Sequence, residues 1–166
     1  MGKLKTSIWI VLLSLPFWTY PLFNASAEEK YIDNRSTPQG LIASLYNAIN
    51  SKQYARAYSY HESGTIKEPY QTWLDGYKTT KHVKVILGKT QAEGAAGSIY
   101  WSLPVAIRAE HTDGATQVFA GCYVLHLTQP LMQQTPPYIP MQIKQSNLVK
   151  SSKPFEQSLP KSCPDS

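Results

Sequence analysis

The chain has 166 residues, of which 42% are hydrophobic and 16% are charged, and its formal net charge is +5. This composition is typical of a globular protein and excludes a disordered or low-complexity chain. Because the positive surplus is small and the lysines are scattered, we expect no nucleic-acid partner.

The first 27 residues have the three parts of a secretory signal peptide. A basic start, Met1 to Lys5, precedes an apolar run from Ile8 to Leu22 and the small-residue sequence Ala25-Ser26-Ala27. We therefore predict a signal peptide over residues 1–27 and an exported protein, either periplasmic or secreted. No stable membrane anchor would remain after cleavage.

An uncleaved membrane anchor is the alternative interpretation of this segment. Pro16 and Pro21 disfavour it, because they interrupt an apolar run that is already short for a membrane span. Cleavage would leave 139 residues, which is enough for one domain with a hydrophobic core. It would also remove Lys3 and Lys5 and lower the net charge to +3.

Helices are predicted before strands. Residues 28–36 are polar, and we expect them to form a flexible lead-in. Thr37 and Pro38 then supply an N-cap and a first-turn proline for a helix. Its apolar stripe comprises Leu41, Ile42, Leu45, Ala48 and Ile49. Two more helices, over residues 51–60 and from Glu68-Pro69 onward, carry the aromatic residues Tyr54, Tyr58, Tyr70, Trp73 and Tyr77.

An alternating pattern replaces the helical one after Thr80 and predicts an antiparallel sheet. The first strand is followed by a Gly- and Ala-rich connection over residues 88–97. Residues 98–128 form a long β-hairpin, and residues 138–147 form the last strand. We expect one α+β domain over residues 37–147 and an irregular C-terminal tail over residues 148–166.

The loop length of the hairpin determines which side chains face the helices. A two-residue loop, Asp113-Gly114, would put His126 on the same face as Trp101. A three-residue loop, Thr112 to Gly114, separates an apolar face from a mixed one and frees Pro104 from donating a backbone hydrogen bond. We therefore predict the three-residue loop. The outer face then carries Tyr100, Ser102, Pro104, Arg108, Glu110, Cys122 and His126.

Cys122 and Cys163 are the only cysteines, and both lie in the part predicted to be exported. An even pair in an exported chain predicts one disulfide, which would tether the tail to the hairpin. A reactive thiol is the alternative, but neither cysteine has a histidine or a Cys-x-x-Cys motif nearby.

Several packing and turn motifs follow one another in a fixed order. They are LYNAIN (45–50), YARAY (54–58), GY (76–77), LPV (103–105), DG (113–114) and FAGCY (119–123). With the order of elements, these motifs resemble exported bacterial members of the nuclear transport factor 2-like superfamily. The resemblance implies a cystatin-like cone, in which N-terminal helices pack on a strongly curved antiparallel sheet around a pocket. Gly121 would provide a kink in that sheet.

The resemblance does not choose a function, since the superfamily includes ketosteroid isomerases, dehydratases and non-catalytic binding domains. Such an enzyme needs an acid or a base in its pocket. The predicted inner face of the hairpin has no Asp, Glu or His, which argues against catalysis. Asp75 and His126 are the remaining candidates for an acid or base. The more common roles of such residues are an exposed helix charge and a structural strand histidine.

No metal or cofactor is expected. The four histidines, at positions 61, 82, 111 and 126, lack the spacing of a metal-binding pair. The Gly97-Ser98 pair is not part of a G-x-S-x-G nucleophile motif, and no glycine-rich phosphate loop is present.

Four aromatic residues are the candidate ligand-binding residues: Trp73, Tyr77, Trp101 and Tyr123. They would bind an apolar or sugar-like ligand, or alternatively serve only as core. The leading hypothesis is an exported, non-enzymatic domain that binds a small apolar ligand or a protein partner. The alternatives are a small isomerase, dehydratase or hydrolase, and a structural homodimer that associates through the apolar outer face of the sheet.

Overall fold

The structure is a computed structural model that describes Gly2 and residues 29–164. The predicted signal peptide over residues 1–27 therefore lies outside the described residues, except for Gly2. Within the described part, helices precede a five-stranded antiparallel sheet, which confirms the predicted α+β class. The helices are α1 (Pro38–Asn50), α2 (Tyr54–Tyr58) and α3 (Tyr70–Asp75).

The strands are β1 (Thr80–Leu87), β2 (Gln91–Ala95), β3 (Ser98–His111), β4 (Thr116–Thr128) and β5 (Gln142–Lys150). Their order is β1-β3-β4-β5, with β2 also paired to β3. Strand β1 pairs with the C-terminal part of β3, and β2 pairs with its N-terminal part. Strand β2 was predicted to be a connection, because its glycine and alanines have low β-propensity.

Helix α1 begins where the sequence predicts. The Thr37 side chain accepts a hydrogen bond from the backbone N–H of Gly40 at 3.0 Å, which caps the first turn. The predicted stripe of five apolar residues is fully or almost fully buried, and α1 packs against β1 and β3. Helix α1 therefore supplies the helical half of the core.

Thr37→Ala is expected to lower the free energy of unfolding by about 1 kcal/mol, since it leaves an N-terminal N–H of α1 without its acceptor. Urea unfolding of the variant measures the loss. Thr72→Ala, at an exposed position in α3, is the control and should change stability by less than about 0.5 kcal/mol. Equal losses in the two variants would contradict the capping role.

The hairpin register confirms the three-residue loop. The His111 N–H donates to the Ala115 carbonyl at 2.8 Å, and the Gly114 N–H donates back to the His111 carbonyl at 3.1 Å. Gly114 has φ +84°, which glycine adopts without steric cost. Leu103 lies opposite Tyr123, so the apolar face of the hairpin meets the helices as predicted.

The strong curvature implied by the family resemblance is not found, because the sheet is not strongly curled. Strands β3 and β4 pair without a register shift over their whole length. No register shift occurs at Gly121 in either pairing of β4. Gly121 lies opposite Val105 and Leu148, and a Cβ atom there would overlap the carbonyl oxygen of Asn147. Gly121 is therefore needed for the close approach of β4 and β5.

The predicted disulfide between Cys122 and Cys163 is present, with a Cα–Cα distance of 5.9 Å. The short 3₁₀ helix Phe155–Gln157 of the tail contacts β3. Phe155 is buried, and the Arg108 guanidinium lies over its ring, 5.3 Å from the ring centroid. The tail therefore covers part of the apolar outer face that suggested a homodimer. The disulfide also indicates a non-reducing environment.

Both ends of the domain differ in detail from the predicted boundaries. Strand β5 begins at Gln142 and ends at Lys150, whereas residues 138–147 were expected. Pro140 lies just before it and lacks the N–H that a paired strand donates. At the other end, residues 29–36 form no helix or strand, and the backbone N–H of Ile32 and of Asn34 donate to side chains of α1. None of the helices in the described part has the length and hydrophobicity needed to cross a membrane.

Candidate functional site

A cleft lies between α3 and the inner face of the sheet. It consists of two cavities of about 270 Å³ and about 460 Å³. We call it the aromatic cleft. Both cavities are lined by Glu68, Trp73, Tyr77, Tyr123 and Ser146.

Helix α3 positions the outer wall of the cleft. Pro69 precedes the helix, and its carbonyl accepts a hydrogen bond from the Trp73 N–H at 3.1 Å. Tyr77 lies in the turn that follows the end of α3 at Asp75, and its ring packs against that of Trp73, with centroids 4.9 Å apart. The Tyr58 ring of α2 packs edge-on against Trp73 at 5.3 Å. These aromatic contacts fix the orientation of the indole.

Two tyrosines from opposite layers meet at the base of the cleft. The hydroxyls of Tyr46, on α1, and Tyr123, on β4, are hydrogen-bonded at 2.7 Å, and both side chains line the larger cavity. Burial raises the pKa of Tyr46 and of Tyr123, and burial also raises the pKa of Tyr77 to about 12. All three phenols are therefore neutral at pH 7. Since the hydrogen bond between the pair uses only one O–H, the other can donate to a third group.

Polar side chains from other elements complete the lining. His61 lies in the smaller cavity, with its ring edge-on to Trp73 at 6.2 Å. His111 lies in the larger cavity, and its buried Nε2 atom has no hydrogen-bond partner among the described residues. Its Nδ1 atom is 3.1 Å from the Thr79 hydroxyl. The sequence predicted no Asp, Glu or His on the inner face of the hairpin. This prediction is wrong at His111, because this last residue of β3 still faces inward.

Burial lowers the pKa of His61, so the folded protein holds this ring neutral more strongly than the unfolded chain does. As the pH falls below the ordinary histidine pKa of about 6.5, the unfolded chain binds more protons and the folded state loses stability. We expect the stability of wild type relative to His61→Gln to decrease from pH 7.5 to pH 5. Urea unfolding at both pH values measures this difference, and an increase on acidification would contradict it.

The structure brings together three of the four predicted ligand-binding residues, Trp73, Tyr77 and Tyr123. Trp101 lines neither cavity of the cleft. It lies on β3 between Ala92 of β2 and Leu125 of β4 and is only partly buried. Trp101 contributes to the core instead.

The two candidate acids or bases lie outside the cleft. Asp75 is on the exposed side of α3, where its carboxylate pairs with the Lys78 ammonium at 3.0 Å and accepts from Gln71 at 3.0 Å. The hydrogen bond from Lys78 lowers the pKa of Asp75. His126 lies on the outer face, as the three-residue loop predicts, with its ring stacked on Tyr100 at 4.7 Å. Neither residue meets the requirement for an acid or base in the cleft.

Tyr46, His61 and Glu68 are among the lining residues that the sequence did not single out. Tyr46 follows Leu45, a residue of the apolar stripe of α1, and therefore looked like a core residue. Its hydrogen-bond partner, Tyr123, is 77 positions away, and no local pattern reveals such a contact. His61 lies three residues after the end of α2, in a segment that was predicted to be a polar connection. A bridge to Ile143 of β5 holds it beside the cleft, and only the tertiary fold creates that contact.

No protein-family model, no curated protein and no solved structure was found to match this chain. Within the described residues, no cluster of three or more His, Cys, Asp or Glu side chains is arranged to hold a metal ion.

Proposed function

We propose that this protein binds a small, flat and mainly apolar ligand in the aromatic cleft, without converting it chemically there. One observation carries the proposal: Trp73, Tyr77 and Tyr123 line both cavities of the cleft. The buried hydrogen bond between the Tyr46 and Tyr123 hydroxyls lies in the same cleft. A volume of about 460 Å³ falls within the usual range for small-molecule sites, roughly 300–1,000 Å³. The aromatic side chains share the lining with polar ones, among them Glu68 and Ser146, which both cavities have in common.

The polar groups suggest which ligand fits best. The Tyr46–Tyr123 pair has one O–H to donate, and the unpartnered His111 nitrogen lies in the same cavity. A ligand that carries a carbonyl or hydroxyl oxygen at one end would satisfy these groups, while its ring packs against Trp73. We therefore propose a planar ligand with one hydrogen-bond acceptor.

Two matched compounds test this proposal, 2-acetylnaphthalene with a carbonyl and 2-ethylnaphthalene without one. Calorimetry should show that Tyr123→Phe weakens 2-acetylnaphthalene binding about tenfold, which is roughly 1.4 kcal/mol. Binding of 2-ethylnaphthalene should be unchanged. Tyr100→Phe, on the outer face, is the control and should affect neither compound. If wild type binds neither compound, or if both variants behave alike, the proposal is wrong.

Export and family membership belong to this proposal. The signal-peptide pattern over residues 1–27 and the disulfide both support an exported protein. The helices followed by an antiparallel sheet, with a cleft between them, support membership of the nuclear transport factor 2-like superfamily. In that superfamily a non-catalytic binding domain is one of several known roles.

A protein partner and a homodimer through the sheet are the alternative proposals. The homodimer is less favoured because the tail already covers part of the outer face, and Pro104 and Ala106 there are buried. Native mass spectrometry of protein isolated from its own source separates these cases. A retained small molecule supports ligand binding, a doubled mass supports the homodimer, and a heterologous partner supports the remaining alternative.

A further inference from the structure

Three side chains form a row at the end of the hairpin, away from the aromatic cleft. The Ser98 hydroxyl lies 3.1 Å from His126 Nε2, and Glu62 Oε2 lies 3.5 Å from His126 Nδ1. Each ring nitrogen of the histidine thus faces one group, an alcohol on one side and a carboxylate on the other. A serine nucleophile, its general base and the group that orients the base have this arrangement.

The surroundings hold the imidazole in place. The Tyr100 ring stacks on it with an interplanar angle of 15°, and only 16% of the His126 side chain is exposed. Glu62 Oε2 is buried and has no hydrogen-bond partner among the described residues, while the Lys144 ammonium lies 3.8 Å away. A buried carboxylate oxygen without a hydrogen bond is unfavourable. A short movement of the Glu62 carboxylate toward His126 would give Oε2 a hydrogen bond from Nδ1. This hydrogen bond is strongest when the imidazole is protonated.

Ser98 follows a two-residue turn in which Ala96 has φ 37° and Gly97 has φ 84°. Positive φ at both residues is the usual geometry of a two-residue β-hairpin loop, so this turn between β2 and β3 fixes the start of β3 at Ser98. Met132 packs beside this turn, since a Cβ atom at Gly97 would lie 3.2 Å from its Cγ atom. The side chain of Met132 is nevertheless exposed, as is that of Leu131. Apolar surface is therefore exposed beside Gly97, the residue that precedes Ser98.

A separate cavity of about 270 Å³ lies on the same face of the sheet, beside the stacked Tyr100 ring. It is lined by Tyr100 and Val124 and by the polar residues Glu93, Lys144 and Gln145. It has room for a short acyl or alkyl group. The substrate class that fits both the row and its apolar surroundings is a small, uncharged carboxylic ester.

We propose that Ser98, His126 and Glu62 form a nucleophilic site that hydrolyses small carboxylic esters. Ser98 Oγ bonds to the carbonyl carbon and its proton passes to His126 Nε2. The C–O bond to the alcohol then breaks, and the alcohol leaves with that proton. Water attacks the acyl group on Ser98, its proton returns through His126 to Ser98 Oγ, and the carboxylic acid departs. Glu62 is a positioning residue that orients and stabilises the protonated imidazole.

Ser98, His126 and Glu62 line neither cavity of the aromatic cleft, so ester hydrolysis and ligand binding can fail separately. The test uses the full-length chain, 4-nitrophenyl butyrate as substrate and a fluorophosphonate as the covalent probe. Wild type should release 4-nitrophenol faster than buffer does, and Ser98→Ala should lower kcat/KM by roughly 100-fold or more. Ser102→Ala is the matched control and should retain full activity, because Ser102 lies on the same face of β3 as Ser98 but four residues further along the strand.

Covalent labelling keeps the proposal falsifiable even if a variant does not fold. Mass spectrometry of digested wild type should find the phosphonate on Ser98, and His126→Gln should abolish that adduct. Glu62→Gln should lower kcat at least tenfold with KM unchanged, and Glu62→Asp should restore part of it. An unlabelled Ser98 in wild type overturns the proposal, as does ester hydrolysis that Ser98→Ala leaves unchanged.

Discussion

Gly121→Ala is expected to lower the free energy of unfolding by about 3 kcal/mol or more, the largest effect of any single methyl group added to the sheet. The added Cβ would overlap the carbonyl of Asn147, which belongs to the backbone of β5. Unlike a side chain, this carbonyl cannot rotate away without breaking the pairing of β4 with β5. Overpacking of this kind usually costs about 1–3 kcal/mol, and more where backbone must move.

Gly94→Ala is the matched control, since Gly94 also lies in a strand but has open space where a Cβ would be. It should leave stability unchanged or raise it slightly, because alanine restricts the unfolded chain more than glycine does. Urea unfolding of both variants and amide hydrogen exchange of β5 measure the difference. A well-folded Gly121→Ala protein with protected β5 amides would contradict the close approach.

Removal of the disulfide by Cys122→Ala with Cys163→Ala is expected to lower the free energy of unfolding by about 4 kcal/mol. The bridge joins residues separated by 41 positions, and this loop length gives about 4 kcal/mol of unfolded-state entropy at 25 °C. Both cysteines are buried, so release of the tail would also expose the outer face. Denaturant unfolding of the double variant and of wild type measures the loss.

Reduction supplies the control for this second prediction. Dithiothreitol should lower the stability of wild type to that of the double variant and should leave the double variant unchanged. A loss of less than about 1 kcal/mol, or a further effect of dithiothreitol on the double variant, would contradict the role of the bridge in tethering the tail.

The order of helices and strands followed from patterns within short segments. Thr37 with Pro38 marked the start of α1, and the alternation around Pro104 selected the loop that the hairpin register confirms. The bridge between Cys122 and Cys163 followed from the even pair in a chain with a signal-peptide pattern. The start of α1 and the hairpin loop depend on local backbone geometry and periodicity, which a few neighbouring residues are enough to reveal.

Features that depend on contacts between distant segments were predicted less well. The flatter sheet and the true role of Gly121 depend on how closely β5 approaches β4, and no local pattern encodes that distance. Trp101 and Trp73 look alike in sequence, yet only Trp73 lines the cleft. The part of β3 that lines the cleft is its C-terminal end, with Ile107, Ala109 and His111, whereas Trp101 lies near the N-terminal end of the strand.

The row of Ser98, His126 and Glu62 shows the same limit at a candidate site. Its three members come from two strands and the loop after α2, and they are brought together only by the hairpin register and the position of that loop. A search for a nucleophile motif within one segment could not find them. The correct register was nevertheless enough to place His126 on the outer face beside Tyr100.

Nitrogen-15 NMR of the tryptophan side chains most directly tests the proposal that the aromatic cleft binds a ligand. The indole N–H signals of Trp73 and Trp101 can be assigned in the full-length protein with the Trp73→Phe and Trp101→Phe variants. During titration with 2-acetylnaphthalene, the Trp73 signal should shift until it saturates, while the Trp101 signal stays in place. A saturating shift at Trp101 alone, or no shift at either indole, would contradict the account.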